Sequence, residues 1–304
     1  VTFTPPSDAA PIPQDPRSVY RFNYVNSEDI KTPSKRYTDT TWRLGLEFDI
    51  NEDMMTYFTA STGFLSGALS HNGSITDPQK SKAHEIGLKS RFYNDRLQLN
   101  LAFYENEYTN LLTGIQTEVN GIVSTTSVNG GDIDARGLDL ELLVLPLNKL
   151  QLAFNAAWLD AEYGQFGSSN PYQVLDGVAE DFIDLTGETP PWSPELSFNI
   201  SAQYDFDLWQ YGTLTPSIQM AYSDEYTVSG FNLPNDPAAQ QDAYTKTDFR
   251  LSWVSPGLDF SVEAFVENIE DEAVLARVQV GGDDLVQTTP LYPKNYGLQV
   301  KYSF

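Results

Sequence analysis

The 304-residue sequence contains no cysteine, which excludes a disulfide framework and thiol chemistry. Basic charge is scarce: 18 Lys and Arg stand against 42 Asp and Glu, a formal net charge of -24. Nucleic-acid binding draws on basic surface that displaces counterions, so that function class is excluded too. Histidine is limited to His71 and His84, and neither a Gly-rich phosphate loop nor a nucleophile elbow is present. No catalytic constellation emerges, and the chain is not read as an enzyme or as the holder of a cofactor. Long apolar runs are missing and mean hydropathy is -0.35, so no transmembrane helix is expected. A basic-then-apolar leader is missing as well. Val1 is followed by TFTPPSDAAPIPQDP, and the sequence reads either as a mature chain or as a piece of a longer one.

What the sequence has is alternation. In the closing NYGLQVKYSF, Tyr296, Leu298, Val300, Tyr302 and Phe304 fall on one face of an extended strand, and polar residues or glycine fall on the other. The same period runs through WRLGLEFDI, HEIGLKSRF, RLQLNLAFY, ARGLDLELLVL, LQLAFNAAW, LSFNISAQY, LTPSIQMAY, DFRLSW and LDFSVEAFVEN. Helical spacing fits none of these stretches. About eleven strands result, each near the 9–11 residues that a tilted strand needs to cross a bilayer.

The connections alternate between tight turns (NED, YNDR, PLNK, DLWQYG, SPG) and long irregular loops at residues 64–81, 110–131, 164–193, 226–244 and 269–293. Short turns at one end and long loops at the other describe an outer-membrane barrel. Trp42, Tyr93, Trp158, Tyr204, Trp209 and Tyr222 gather near strand ends, as interfacial girdles require. A soluble β-sandwich also shows half-buried alternation, but soluble strands average only about 5–6 residues. The polar faces carry charge in mid-strand at Arg43, Glu47, Asp139, Glu141, Arg250 and Glu263, which suits a wet lumen. The expected fold is therefore all-β: a transmembrane antiparallel barrel over residues 41–304, preceded by a Pro-rich extracellular loop over 1–40 with one doubtful strand, SVYRFNYV.

KAHEIGLKSRFYNDRLQLNLAFYENEYTNL, RGLDLEL, TPPWSPELSFNISAQY, TDFRLSW, VENIED and YGLQVKYSF, in that order, resemble the C-terminal portion of the TonB-dependent outer-membrane receptors. KAHEIGLKSRFYNDRLQLNLAFYENEYTNL resembles that family's E-x-G-x-K hairpin followed by L-x-L-N-x-A-x-F/Y. RGLDLEL resembles its R-G-x-E-x-E strand, with Asp139 in place of the first Glu. TPPWSPELSFNISAQY, TDFRLSW, VENIED and YGLQVKYSF resemble later strands, so the likeness covers about residues 37–304. The resemblance implies half of a 22-stranded plugged barrel in the outer membrane of a Gram-negative bacterium. The plug domain, the TonB box and the first half of the barrel have no counterpart in the sequence. The implied function is energised uptake of a ferric siderophore, haem, cobalamin or an oligosaccharide. A passive porin is the alternative, and a soluble β-sandwich binding protein the more distant one. The six lumenal charges would face the plug, and the alternating C-terminal residues would form the barrel-insertion signature.

Candidate ligand contacts are residues of the long loops: Phe64, His71, Tyr163, Phe166, Tyr172, Trp192, Tyr226 and Phe231. Rings of this kind stack on sugars and hydrophobic chelators. The loops are acidic, which disfavours a strongly anionic siderophore and leaves a neutral or cationic ligand. No metal site is expected: Asp181 and Asp184 are the nearest approach to a Ca²⁺ site, and solvated surface carboxylates are the favoured reading of them. Expected partners are outer-membrane lipid and lipopolysaccharide, the plug, the TonB system and a small-molecule or oligosaccharide ligand.

Overall fold

The computed structural model describes residues 34–69, 75–119, 122–169, 182–228, 237–257, 259–280 and 286–302. SVYRFNYV and most of the Pro-rich segment lie outside the described residues.

Alternating β-branched, aromatic and aliphatic residues favour extended chain wherever one face can be buried. The strands in chain order begin with β1 (Arg43–Asn51), β2 (Met54–Leu65), β3 (Gln79–Phe92), β4 (Leu97–Val119), β5 (Ile122–Leu147) and β6 (Leu150–Ser169). They continue with β7 (Phe182–Asp184), β8 (Leu196–Tyr204), β9 (Phe206–Asp207), β10 (Thr213–Ser223), β11 (Tyr226–Thr227) and β12 (Gln240–Gln241). The last are β13 (Tyr244–Val254), β14 (Phe260–Glu267), β15 (Leu275–Val280), β16 (Val286–Pro290) and β17 (Asn295–Tyr302).

Eleven of them form one antiparallel path, β1-β2-β3-β4-β5-β6-β8-β10-β13-β14-β17. The expected number of spanning strands is met. The short strands lie off this path: β7 pairs with β6, β9 with β10, and β11–β12 and β15–β16 form two small ribbons. Among the described residues the path does not close, since β1 and β17 each have one neighbour.

Register sorts the side chains into two faces, because directly paired residues point the same way. One row runs Leu46, Phe58, Ile86, Phe103, Leu138, Trp158, Leu196 across seven strands. A second runs Leu152, Ala202, Ile218, Phe249, Val266, Tyr296 to the other edge. This apolar face is open: Phe48 is 66% exposed, Leu46 62% and Leu298 69%. A continuous apolar band of this extent suits lipid and not water.

The tight turns fall together at one end. The turn between β3 and β4 is held by left-handed residues Tyr93, Asn94 and Asp95 (φ 55°, 56° and 63°). At the other end, the expectation of irregular loops is corrected. The stretch 110–131 is a continuation of β4 and β5, paired from Leu111–Gly131 up to Val119–Ile122. Its sequence alternates Ile, Thr and Val around Asn120-Gly121, a strong hairpin signal. The stretches 164–193, 226–244 and 269–293 likewise contain β7, the β11–β12 ribbon and the β15–β16 ribbon.

Candidate functional site

The polar face carries the lumenal candidates. Glu47 pairs with Tyr57, Tyr57 with Gly87, Gly87 with Ala102 and Ala102 with Asp139, so this row lies opposite the apolar one. Arg43, Glu141, Arg250 and Glu263 share that face by register. The Tyr57 hydroxyl donates to Glu85 at 2.6 Å, and Lys89 Nζ stands 5.6 Å from the centre of the Tyr57 ring. Asn100 donates to Glu141 at 3.0 Å. One sector of wall is thus acidic through Glu47, Glu85, Asp139 and Glu141.

The sector near β17 is organised around a cation. Arg250 donates through Nη1 to Glu263 at 3.0 Å and through Nη2 to Glu267, and its guanidinium lies 5.4 Å from the Phe265 ring centre. Sequence reasoning missed Glu267 and Glu85. Their spacing was a usable signal, since Glu263 and Glu267 are an even number of residues apart and so share a strand face.

The aromatic candidates of the loop end fall in different places. Phe64 shares the outward face with Phe58 and pairs with Lys80. Tyr163 and Phe166 stack with centroids 4.0 Å apart and are each 8% exposed. They pack on the fully buried Leu185, with Leu111, Ile133 and Ile183 around them. This small core joins β4, β5, β6 and β7, and burial pushes the Tyr163 phenol up to about 12. Tyr226 is half-buried in β11, and burial followed by Tyr244 raises its phenol to about 12. Trp192 keeps half its surface open while its backbone N–H donates to Thr227 O at 2.9 Å. His71, Tyr172 and Phe231 lie outside the described residues.

Of the carboxylates considered for Ca²⁺, Asp181 is also outside. Asp184 accepts from the Thr186 hydroxyl at 2.5 Å and from its backbone N–H at 3.0 Å, and these bonds hold its carboxyl below the usual range. Among the described residues no group of three or more His, Asp or Glu is placed to hold a metal. In β17, Tyr296, Leu298, Val300 and Tyr302 pair with Val266, Ala264, Val262 and Phe260 on the outward face. Phe304 lies outside the described residues.

The arrangement is a wall and a rim, suited to enclosing and passing a solute. The family model for the TonB dependent receptor-like β-barrel matches residues 17–269. The ferrichrome outer membrane transporter/phage receptor of Escherichia coli (strain K12) is 26% identical over 175 residues, 55% of this chain and 23% of that protein. The ferric yersiniabactin uptake receptor FyuA from Yersinia pestis superposes with a TM-score of 0.67 at 17% identity, covering 86% of this chain and 37% of FyuA. BauA, the ferric preacinetobactin receptor from Acinetobacter baumannii, gives 0.65 at 21% identity, covering 91% and 38%. The chain therefore spans well under half the length of these relatives. With its open eleven-strand wall, lipid-facing band and matched barrel region, the chain belongs to the TonB-dependent receptor family of the outer membrane.

Proposed function

We propose that the chain forms the C-terminal half of the barrel of an energised receptor that imports a ferric siderophore. The observation that carries this reading is the eleven-strand path, which among the described residues ends at β1 and β17 without closing. Open edges in hydrocarbon are costly, so further strands must complete the wall. A 22-stranded barrel of that kind holds a plug, and the lumenal Glu47, Asp139, Glu141 and Arg250 would meet it through polar contacts. Ferric siderophores are favoured over haem, cobalamin or oligosaccharides because FyuA, BauA and the ferrichrome transporter are named for iron chelates. The formal charge of -24 favours a neutral or cationic chelate over a strongly anionic one. Trp192, with the most open ring of the described candidates, is the first choice for a ligand contact. The outward band would meet lipid and, above it, lipopolysaccharide.

The test uses cells that make the full-length receptor as their sole candidate importer. Iron-55 uptake is followed with hydroxamate, catecholate and mixed chelates, beside labelled cobalamin and maltooligosaccharides. Uptake of one ferric chelate that stops when the proton gradient is collapsed is expected. Gradient-independent passage of small sugars would instead make the protein a porin and overturn the reading.

A further inference from the structure

The last two long connections do not run over the surface separately. Loops normally keep their backbone groups in water because burial leaves those groups without partners. Here the segments following β10 and β14 both carry buried residues and are hydrogen-bonded to each other. Val228 is fully buried, and Ala239, Val274 and Val278 are 1%, 1% and 3% exposed. The Val278 N–H donates to Val228 O at 3.3 Å, across the two connections. The Leu275 N–H donates to the side-chain oxygen of Gln241 at 2.7 Å, also across them. Gln241 is itself buried, and its other amide end donates to Asp242 O at 2.9 Å.

A second buried amide shapes the entry to the β15–β16 ribbon. Asn268 is 1% exposed in a left-handed conformation (φ 53°). Its side chain donates to Glu272 O and accepts from the Glu272 N–H, both at 2.9 Å, while its own N–H donates to Asp248 at 2.8 Å. The ribbon is closed behind it by the Leu291 N–H donating to Val274 O at 2.7 Å. Peeling away either connection alone would break the Val278–Val228 bond and strip the buried Gln241 of its partner. Unsatisfied buried amides are costly, so the two connections share one opening event.

We propose that the described parts of these connections, residues 226–228, 237–244, 268–280 and 286–293, form one interlocked unit, latched by Gln241 and keyed by Asn268, which opens or stays closed together. The inference takes from the proposed function only that this end faces outward. Its readout involves no ligand, so a wrong ligand assignment leaves it standing.

The test is hydrogen exchange on the full-length receptor in micelles. In the unaltered protein, the amides of Val228, Leu275, Val278 and Leu291 should open with the same free energy. A spread of more than about tenfold in their protection, about 1.4 kcal/mol, would overturn the proposal. Gln241→Leu keeps the bulk and removes the acceptor. It should speed exchange by about tenfold in both the β11–β12 and β15–β16 ribbons, while the β13–β14 ladder keeps its protection. Asn268→Gly keeps the left-handed backbone and should do the same. Acceleration confined to one ribbon in either variant would show two independent loops. A variant that fails to fold leaves the comparison within the unaltered protein to decide.

Discussion

The ring of Tyr57 covers Gly87, its register partner on β3, while its hydroxyl reaches past to Glu85 at 2.6 Å. A methyl group on Gly87 would overlap the ring. Tyr104 covers Gly137 and Phe265 covers Gly297 in the same way, each again a directly paired residue on the next strand. Three lumenal rings are thus laid along the wall and kept out of the bore. Gly87→Ala should force the Tyr57 ring inward and destabilise the full-length barrel by about 1–3 kcal/mol. Urea unfolding in micelles measures this. Tyr57→Ala in the same protein should recover part of the loss, because the two substitutions remove one clash. Strict additivity would show that the ring does not depend on Gly87.

The two faces of β5 differ by one residue position, and that difference can be measured. Leu140 pairs with Leu101 and Ala156 on the apolar side, whereas Glu141 beside it accepts from Asn100 on the polar side. Leu140→Arg should cost about 2–4 kcal/mol in folding into lipid vesicles. Glu141→Gln keeps an acceptor in the lumen and should stay within about 0.5 kcal/mol. Equal costs would mean that the sheet does not present one face to lipid.

The eleven spanning strands were legible because a lipid-facing strand must alternate along its whole length, and residues such as Leu138, Leu140 and Leu142 show this without knowledge of their partners. The loop end was not legible in the same way. β11 and β12 are two residues each, too short for any period to register. Tyr163 and Phe166 read as exposed loop rings, yet Leu185 lies across them from a connection some twenty residues later. Burial of that kind depends on tertiary contacts that alternation does not encode. Period alone put Arg250 and Glu263 on one face of the sheet, and the pairing of β13 with β14 has them share it. Their joint grip with Glu267 needed the pairing of β13 with β14.

Two tyrosines of the loop end, Tyr163 and the half-buried Tyr226, give a pH signature. The Tyr163 and Tyr226 phenols are raised from the ordinary 10.0 to about 12, chiefly by burial. A phenol with a raised folded-state value stabilises the fold fully below about pH 10, and that contribution is lost as pH rises towards 12. Absorbance at 295 nm should show the exposed tyrosines ionising first and a late step above pH 11. Tyr163→Phe should remove part of the late step. An unchanged late amplitude would mean that Tyr163 is reached by solvent.

Arg250 offers the last test, because it bridges two carboxylates four residues apart on the same face of β14. Glu263 and Glu267 are 29% and 36% exposed at the side chain, and Arg250 is 40%, so water screens the pair interactions substantially. The cost of Arg250→Met should therefore be modest, about 1 kcal/mol, and come mainly from repulsion between the two glutamates. That attribution is separable from lost packing on Phe265. In the Arg250→Met background, Glu263→Gln should restore most of the stability by removing one of two like charges left without their cation. In the unaltered background, the same Glu263→Gln should be slightly destabilising, because it removes an ion-pair partner. A change of sign between the two backgrounds in urea unfolding is the expected result. The same sign in both would show that Arg250 acts through its stack on Phe265, and that the carboxylates do not repel across the lumenal face.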